Sequence, residues 1–238
     1  MMSPLIDSLI VAHRILVDQG VLDAFGHISV RDQENPARFL LARAAPPSTV
    51  AASDMISFGL DGQPLTVTDT PLFVERFIHS EIYRARADVN AICHHHAPSL
   101  MPFCITSRPL VPVSQAGAFM GAQVPLWDSA TEFSDTAMLV SDSAQASSLA
   151  RALGENALVL MRGHGVTVVG SSIKELVFRS VYSRREADHL QAASSFGPVH
   201  PLSKGEIEKA RHVRTPILDR CWVHWLAALA ASSEKIGE

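Results

Sequence analysis

The sequence predicts a single α/β domain, and three observations support that reading. Segments with helical apolar spacing alternate with short runs of strand character, separated by turn residues. The chain has 238 residues, 47% hydrophobic and 18% charged, which is enough apolar material for one sizeable core. No repeat, linker-like composition or low-complexity stretch divides residues 1–238.

The elements follow in order. Leu5, Leu9, Ala12, Ile15 and Leu16 set a helical period over residues 4–20, stopped by Gly20. Phe25-Gly26 turns into the alternating run His27-Ile28-Ser29-Val30-Arg31, and residues 38–42 are its hairpin partner across a polar loop. Residues 54–58 form another short strand, ended by Asp61-Gly62. Pro71 opens a helix through roughly Arg86, with Phe73, Phe77, Ile78, Ile82 and Ala85 on one side. Residues 90–94 are a buried strand, and Pro98-Ser99 starts the next helix. Residues 111–113 and 123–126, with their prolines, fit short edge segments. The acidic residues scattered over 132–142 read as a solvated surface loop. A helix runs from Ser143, as N-cap, to Leu153 and stops at Gly154. Residues 157–161 are the clearest strand, and 166–169 pair with it across Gly163-His164-Gly165. A long helix covers 173–193. A last one, about 216–232, turns Cys221, Trp222, Trp225 and Leu229 toward a packed face.

Composition excludes several classes of partner. The formal net charge is −4, and the twenty Lys and Arg are scattered, so no nucleic-acid-binding patch is expected. No apolar run approaches the roughly 20 residues of a membrane span. The N-terminus lacks the basic region of a signal peptide. Cys93, Cys104 and Cys221 form no CxxC pair, and a reduced, cytoplasmic setting fits them.

Chemistry concentrates at the histidines. His94 and His96 are two apart on one strand, so their imidazoles share a face, while His95 points the other way. An isolated HxH is more often a pair of core or solvated histidines than a ligand pair. The second element shifts that balance, because His164 sits between two glycines directly after an apolar strand, where glycine permits a sharp turn. A plain hairpin turn is the competing reading of Gly-His-Gly. Three nitrogens with one position left open are the composition of a catalytic metal site. Glu75 taken alone reads as a solvated helix residue, with His79 one turn later.

Taken together, the pieces resemble the class II aldolase/adducin family of metal-dependent enzymes. They are Phe25-Gly26-His27-Ile28-Ser29-Val30-Arg31, Glu75, His94-x-His96 and Gly163-His164-Gly165, in the family's order. The resemblance implies a three-layer α/β/α domain with a central, mostly antiparallel sheet. It also implies a homotetramer with active sites at subunit interfaces. On that match His94, His96 and His164 are ligands of one divalent transition metal ion per subunit, and Glu75 is a metal-proximal carboxylate that transfers protons. Zn²⁺, Mn²⁺, Fe²⁺ and Co²⁺ all suit this donor set.

The chain departs from the sugar-phosphate aldolases of the family. His27 replaces their Asn, the next loop reads Ala42-Arg43-Ala44-Ala45-Pro46-Pro47, and no Ser pair precedes Glu75. Gly26-His27, Arg43-Ala44-Ala45-Pro46, Val177-Phe178-Arg179 and the run Asp219-Arg220-Cys221-Trp222-Val223-His224-Trp225 instead look like a decarboxylase branch acting on hydroxylated aromatic or pyridine carboxylates. Under that resemblance Glu75 or His27 supplies the proton that replaces CO₂. Arg43 pairs with a substrate carboxylate or, alternatively, makes a surface ion pair. Arg179 reaches substrate or holds a neighbouring subunit, and the C-terminal helix packs on a neighbour. Two other readings stand beside this one. One is an aldolase acting on a non-phosphorylated hydroxy-keto substrate. The other is a non-catalytic module like adducin, which has no need of the histidines and Glu75.

Overall fold

Alternation along the strands sorts their side chains onto two faces, and both faces are apolar enough to need a cover of helices. The computed structural model describes residues 3–236. Its elements run α1 (Pro4–Asp18), β1 (His27–Arg31), β2 (Arg38–Ala42), β3 (Met55–Gly59), α2 (Arg76–Ala85) and β4 (Ala91–His95). Then come α3 (Met101–Cys104), β5 (Leu126–Trp127), α4 (Ala130–Phe133), α5 (Ser143–Leu153), β6 (Leu158–Met161) and β7 (Gly165–Gly170). The last three are α6 (Ile173–Ala193), α7 (Lys204–Ala210) and α8 (Thr215–Ile236). The strands form one sheet in the order β3-β2-β1-β4-β7-β6-β5, antiparallel except at the β5–β6 edge. A mostly antiparallel sheet between helices is the α/β architecture expected.

One face carries Ile28, Val30, Ala91, Cys93, Val166 and Val168 into a core shared with α1, α6 and α8. The other carries Phe39, Leu41, Ile92, Val159 and Val169 against α2 and α5. On β1 this alternation leaves His27, Ser29 and Arg31 on the α2 side, all buried. Buried polar groups need partners, and Arg31 finds four backbone carbonyls. Its Nε donates to Val89 at 2.9 Å, Nη1 to Pro36 at 2.7 Å, and Nη2 to Tyr83 and Arg86 at 2.8 Å. The guanidinium also lies 4.7 Å from the centre of the Tyr83 ring. One cation therefore ties the end of α2 to β1 and to the hairpin loop.

Several expectations are corrected. The helix expected from Pro71 begins at Arg76, because the Pro71 carbonyl accepts the Ala44 N–H at 2.8 Å, a bond across the chain that holds 71–75 outside the helix. Glu75 thus stands at the N-cap position, one residue before the helix. Residues 111–113 form no strand: the backbone N–H groups of Val113 and Ser114 go to the buried Glu186 carboxylate, at 2.7 and 3.0 Å. Of the two expected edge segments only the second pairs, as β5. Asp142, not Ser143, caps α5, its side chain accepting the Gln145 N–H. The helix expected at Pro98-Ser99 begins at Met101, after a turn. One expectation stands: α8 turns Trp225, with Cys221, Trp222 and Leu229, toward a packed face on α1 and α6, while Val223 and Leu226 are exposed. No helix among the described residues is long and apolar enough to cross a membrane.

Arg31→Met keeps the stem and removes the donors. It is expected to lower the unfolding free energy by about 3–5 kcal/mol, since carbonyls are left bare in the core. The effect should appear as a lower urea midpoint at unchanged slope. A loss smaller than about 0.5 kcal/mol would show that Arg31 does not fasten the fold.

Candidate metal centre

The sheet register assembles the centre. Three neighbouring strands bring His27, His94 and Thr167 into line, with His27 opposite His94 on one side and Thr167 opposite it on the other. β4 ends at His95, but alternation continues one residue further, so His96 falls on the same side as His94, their Nε2 atoms 3.1 Å apart. His164 arrives from the β6–β7 turn. Gly163 takes φ +66° there, and a side chain at Gly165 would come within 2.6 Å of both the His95 carbonyl and the His96 ring. The glycines thus serve two ends, one bending the chain and the other letting the His96 imidazole lie against backbone. The His96 and His164 rings stack at 5.1 Å.

Glu75, 7% exposed, completes the cluster from the entrance to α2. Its carboxylate oxygens lie 3.5 Å from His94 Nε2 and 3.5 Å from His164 Nε2, and one of them accepts the Val140 N–H at 3.3 Å. One donor atom from each of Glu75, His94, His96 and His164 lies within 4.8 Å of the others. Two ligands about 2.1 Å from a shared ion at the tetrahedral angle are about 3.4 Å apart. The spacings of 3.1 and 3.5 Å match that requirement. Three imidazoles and a carboxylate are also the donor set that a divalent transition metal ion prefers. The residues fit the ion.

The far nitrogens of the imidazoles explain why the near ones converge. His164 Nδ1 donates to the Met138 carbonyl at 2.6 Å, and His94 Nδ1 to Thr167 Oγ1 at 3.2 Å. Each bond turns Nε2 toward the cluster, where it ligates once any proton it shares with Glu75 is given up. Met138 holds its carbonyl in place with φ +63°, a left-handed conformation that costs a non-glycine residue energy. Segment 132–142 is therefore more than a solvated loop, since it supplies both the Met138 carbonyl and the Val140 N–H.

Electrostatics divide the four groups. Burial keeps His94 and His96 below the ordinary imidazole range, hence neutral and ready to ligate. Burial alone would lower His164 as well, but its hydrogen bond to Glu75 and that carboxylate's charge raise it. Burial pushes the Glu75 carboxyl up, yet His94, His164 and the Val140 N–H outweigh it and hold the group at about 2. Glu75 is ionised at neutral pH.

Beside the cluster, the His27 ring lies 5.3 Å from that of His94 and 4.5 Å from that of Phe73. His27 Nδ1 is engaged with His79 Nε2 at 2.6 Å. Carrying the β1–β2 register two residues past Ser29↔Leu41 sets Arg43 level with His27, at the same end of the sheet. Arg43 Nε is held by Asp54 at 2.6 Å, and among the described residues its two terminal nitrogens have no partner. Arg179 lies at the opposite end of the strands, donating to the Val169 carbonyl at 2.7 Å and to Glu175 at 2.8 Å. Within the chain it does not join the cluster. His95 faces away, as expected, and accepts the Ala97 N–H. At the rim Phe25, 68% exposed, sets its ring edge-on to His96.

Sequence reading missed Thr167 and the Met138 carbonyl. A threonine in the apolar run Val166–Val169 was a usable signal, whereas a backbone carbonyl leaves none.

Comparison with known proteins places these features among relatives. Residues 7–189 match the class II aldolase and adducin N-terminal domain. The decarboxylase tropJ of Talaromyces stipitatus is 31% identical over 236 residues, covering 89% of this chain and 89% of the relative. A 3,4-dihydroxyphthalate decarboxylase of Arthrobacter keyseri is 27% identical over 238 residues, covering 95% of this chain and 94% of the relative. An L-fuculose 1-phosphate aldolase structure from Glaciozyma antarctica superposes with a TM-score of 0.78 at 20% identity, over 97% of this chain and 90% of the other.

Thr167→Val keeps the shape and removes the acceptor for His94 Nδ1. It is expected to weaken Zn²⁺ binding about 10–100-fold in a direct titration. Unchanged affinity would show that this bond does not orient His94.

Proposed function

The chain belongs to the class II aldolase and adducin family, and on that premise we propose that it is a metal-dependent decarboxylase of a hydroxylated aromatic or heteroaromatic carboxylate. The observation that carries this reading is the convergence of Glu75, His94, His96 and His164 in a chain whose near-full-length relatives include two decarboxylases. Those relatives, decarboxylases and an aldolase among them, are carbon–carbon lyases. When bound, a divalent ion supplies Lewis acidity, which stabilises negative charge on an oxygen next to the reacting carbon.

The rest falls to the chain's own residues. The bond from ring carbon to carboxylate breaks, its electron pair stays on the ring, and a proton must replace the CO₂ that leaves. Glu75 is ionised and can take the proton of the substrate hydroxyl, then return it to carbon; solvent restores the hydroxyl proton afterwards. His27, a ring away from His94, is the second candidate for that donation. Arg43 offers its two terminal nitrogens to a substrate carboxylate, while Asp54 steadies Nε. Phe25 and Val74, both exposed beside ligand residues, give the opening an apolar rim. The same rim supports a homotetramer with the sites at subunit interfaces, where Arg179 and the C-terminal helix meet neighbours.

The test is CO₂ release by protein loaded with Mn²⁺ or Zn²⁺, offered a panel of ortho-hydroxylated aromatic mono- and dicarboxylates. Release is expected with at least one of them and should vanish in His96→Ala. Glu75→Gln should keep its metal and lose about 10²–10⁴-fold in turnover; full turnover in that variant would take Glu75 out of the mechanism. Silence across the panel, with aldehyde formed from hydroxy-keto acids, would replace the decarboxylase by an aldolase.

A further inference from the structure

Beneath the metal centre a buried chain of polar groups leads away from His27, and beyond that residue the proposed chemistry leaves it unused. His27 Nδ1 meets His79 Nε2 at 2.6 Å, His79 Nδ1 meets Ser29 Oγ at 2.6 Å, and Ser29 Oγ meets Tyr83 Oη at 2.8 Å. His27 is 3% exposed, His79 and Ser29 are fully buried, and Tyr83 is 1% exposed. The four come from two elements, His27 and Ser29 from β1 and His79 and Tyr83 from α2.

The direction of this chain follows from counting hydrogens. Both imidazoles and the phenol are buried, and no carboxylate among the described residues is hydrogen-bonded to any of them, so each histidine is neutral with one N–H and Tyr83 keeps its O–H. With the Ser29 hydroxyl, four hydrogens serve three contacts, and each contact takes one. The fourth is left over. If Ser29 Oγ accepted from both His79 and Tyr83, it would be the Ser29 hydroxyl hydrogen, fully buried with no other acceptor among the described residues; otherwise it sits at an end. If the bonds run from His27 toward Tyr83, it falls on the Tyr83 oxygen, which is buried and has no other acceptor among the described residues. An orphaned buried donor is strongly disfavoured. If they run from Tyr83 toward His27, it falls on His27 Nε2. That nitrogen has no protein partner among the described residues either but, unlike Nε2 of His95, it is not sealed from solvent.

We propose that Tyr83, Ser29 and His79 act as a positioning relay that fixes the tautomer of His27, with Nδ1 as acceptor and the proton on Nε2, presented at the edge of the metal centre. Tyr83 O–H donates to Ser29, Ser29 O–H to His79 Nδ1, and His79 Nε2–H to His27 Nδ1. His27 then stands as a fixed hydrogen-bond donor beside His94. This deepens the reading above by assigning the side of His27 that faces a carboxylate or the reacting carbon, and its role there rests on that reading. The tautomer does not.

The experiment is ¹⁵N NMR of the full-length, Zn²⁺-loaded protein labelled at the histidine rings, with the His27 signals identified by their loss in His27→Gln. A pyrrole-type Nε2 and a pyridine-type Nδ1 are expected for His27 as one species. Ser29→Ala breaks the relay in the middle and should turn that single species into a mixture of tautomers, whereas Ser29→Thr should restore it. A wild-type His27 protonated at Nδ1 would overturn the proposal, and so would an unaltered single tautomer in Ser29→Ala. If Ser29→Ala does not fold, the wild-type spectrum alone still decides the direction. The measurement needs no turnover, so a failed decarboxylase assay and a failed relay are told apart.

Discussion

A neutral imidazole has one proton and one lone pair, and the site depends on where each ring is made to spend the proton. Three imidazoles can offer lone pairs to one small volume only if their protons lie on the outward nitrogens, and two of those nitrogens have partners. His94 gives its proton to Thr167 and His164 gives its own to a carbonyl at residue 138. Without those outward bonds the inward-facing nitrogens would compete for protons, and Glu75 would hold a hydrogen-bonded cluster in place of a ligand set.

That requirement reaches into the fold through register. His27, His94 and Thr167 are paired residues on three adjacent strands, so a slip of one residue on β4 would send His94 to the opposite face. The apolar alternation on both sides of the sheet prevents the slip. Ile92 belongs to one core and Ala91 and Cys93 to the other, and exchanging them would misplace a whole row of side chains. α2 is then pinned over the polar face of β1 by the carbonyls that Arg31 gathers. The apolar cores and the buried cation thus set the positions of groups that touch neither.

Much of this was legible in the sequence, and the residues show why. The HxH pair and the histidine between glycines declare themselves by spacing, and every strand carrying them has a clear apolar pattern. Glu75 had no such signal of its own and was found through resemblance; its place before α2, not on it, depends on a bond between Pro71 and Ala44 that no local pattern announces. Residues 111–113 looked like an edge strand because local composition says nothing of Glu186, seventy-odd residues away, which takes their N–H groups. Ser29, His79 and Tyr83 are spread over two elements, and only the packing of those elements makes them neighbours. Local chemistry is readable; partners supplied by another part of the chain are not.

The carbonyl of Met138 carries one more consequence. A backbone atom in a left-handed turn orients a ligand histidine, so the contact is made by the path of the chain and not by any side chain. Natural variation can therefore exchange the residue at this position freely as long as the turn survives, and glycine or asparagine would adopt it with less strain. The position will look unconstrained in a comparison of side chains while remaining tightly constrained in shape. An engineer reshaping the mouth of the site has the mirror-image freedom: the side chain at 138 is available for redesign, and the bend beneath it is not.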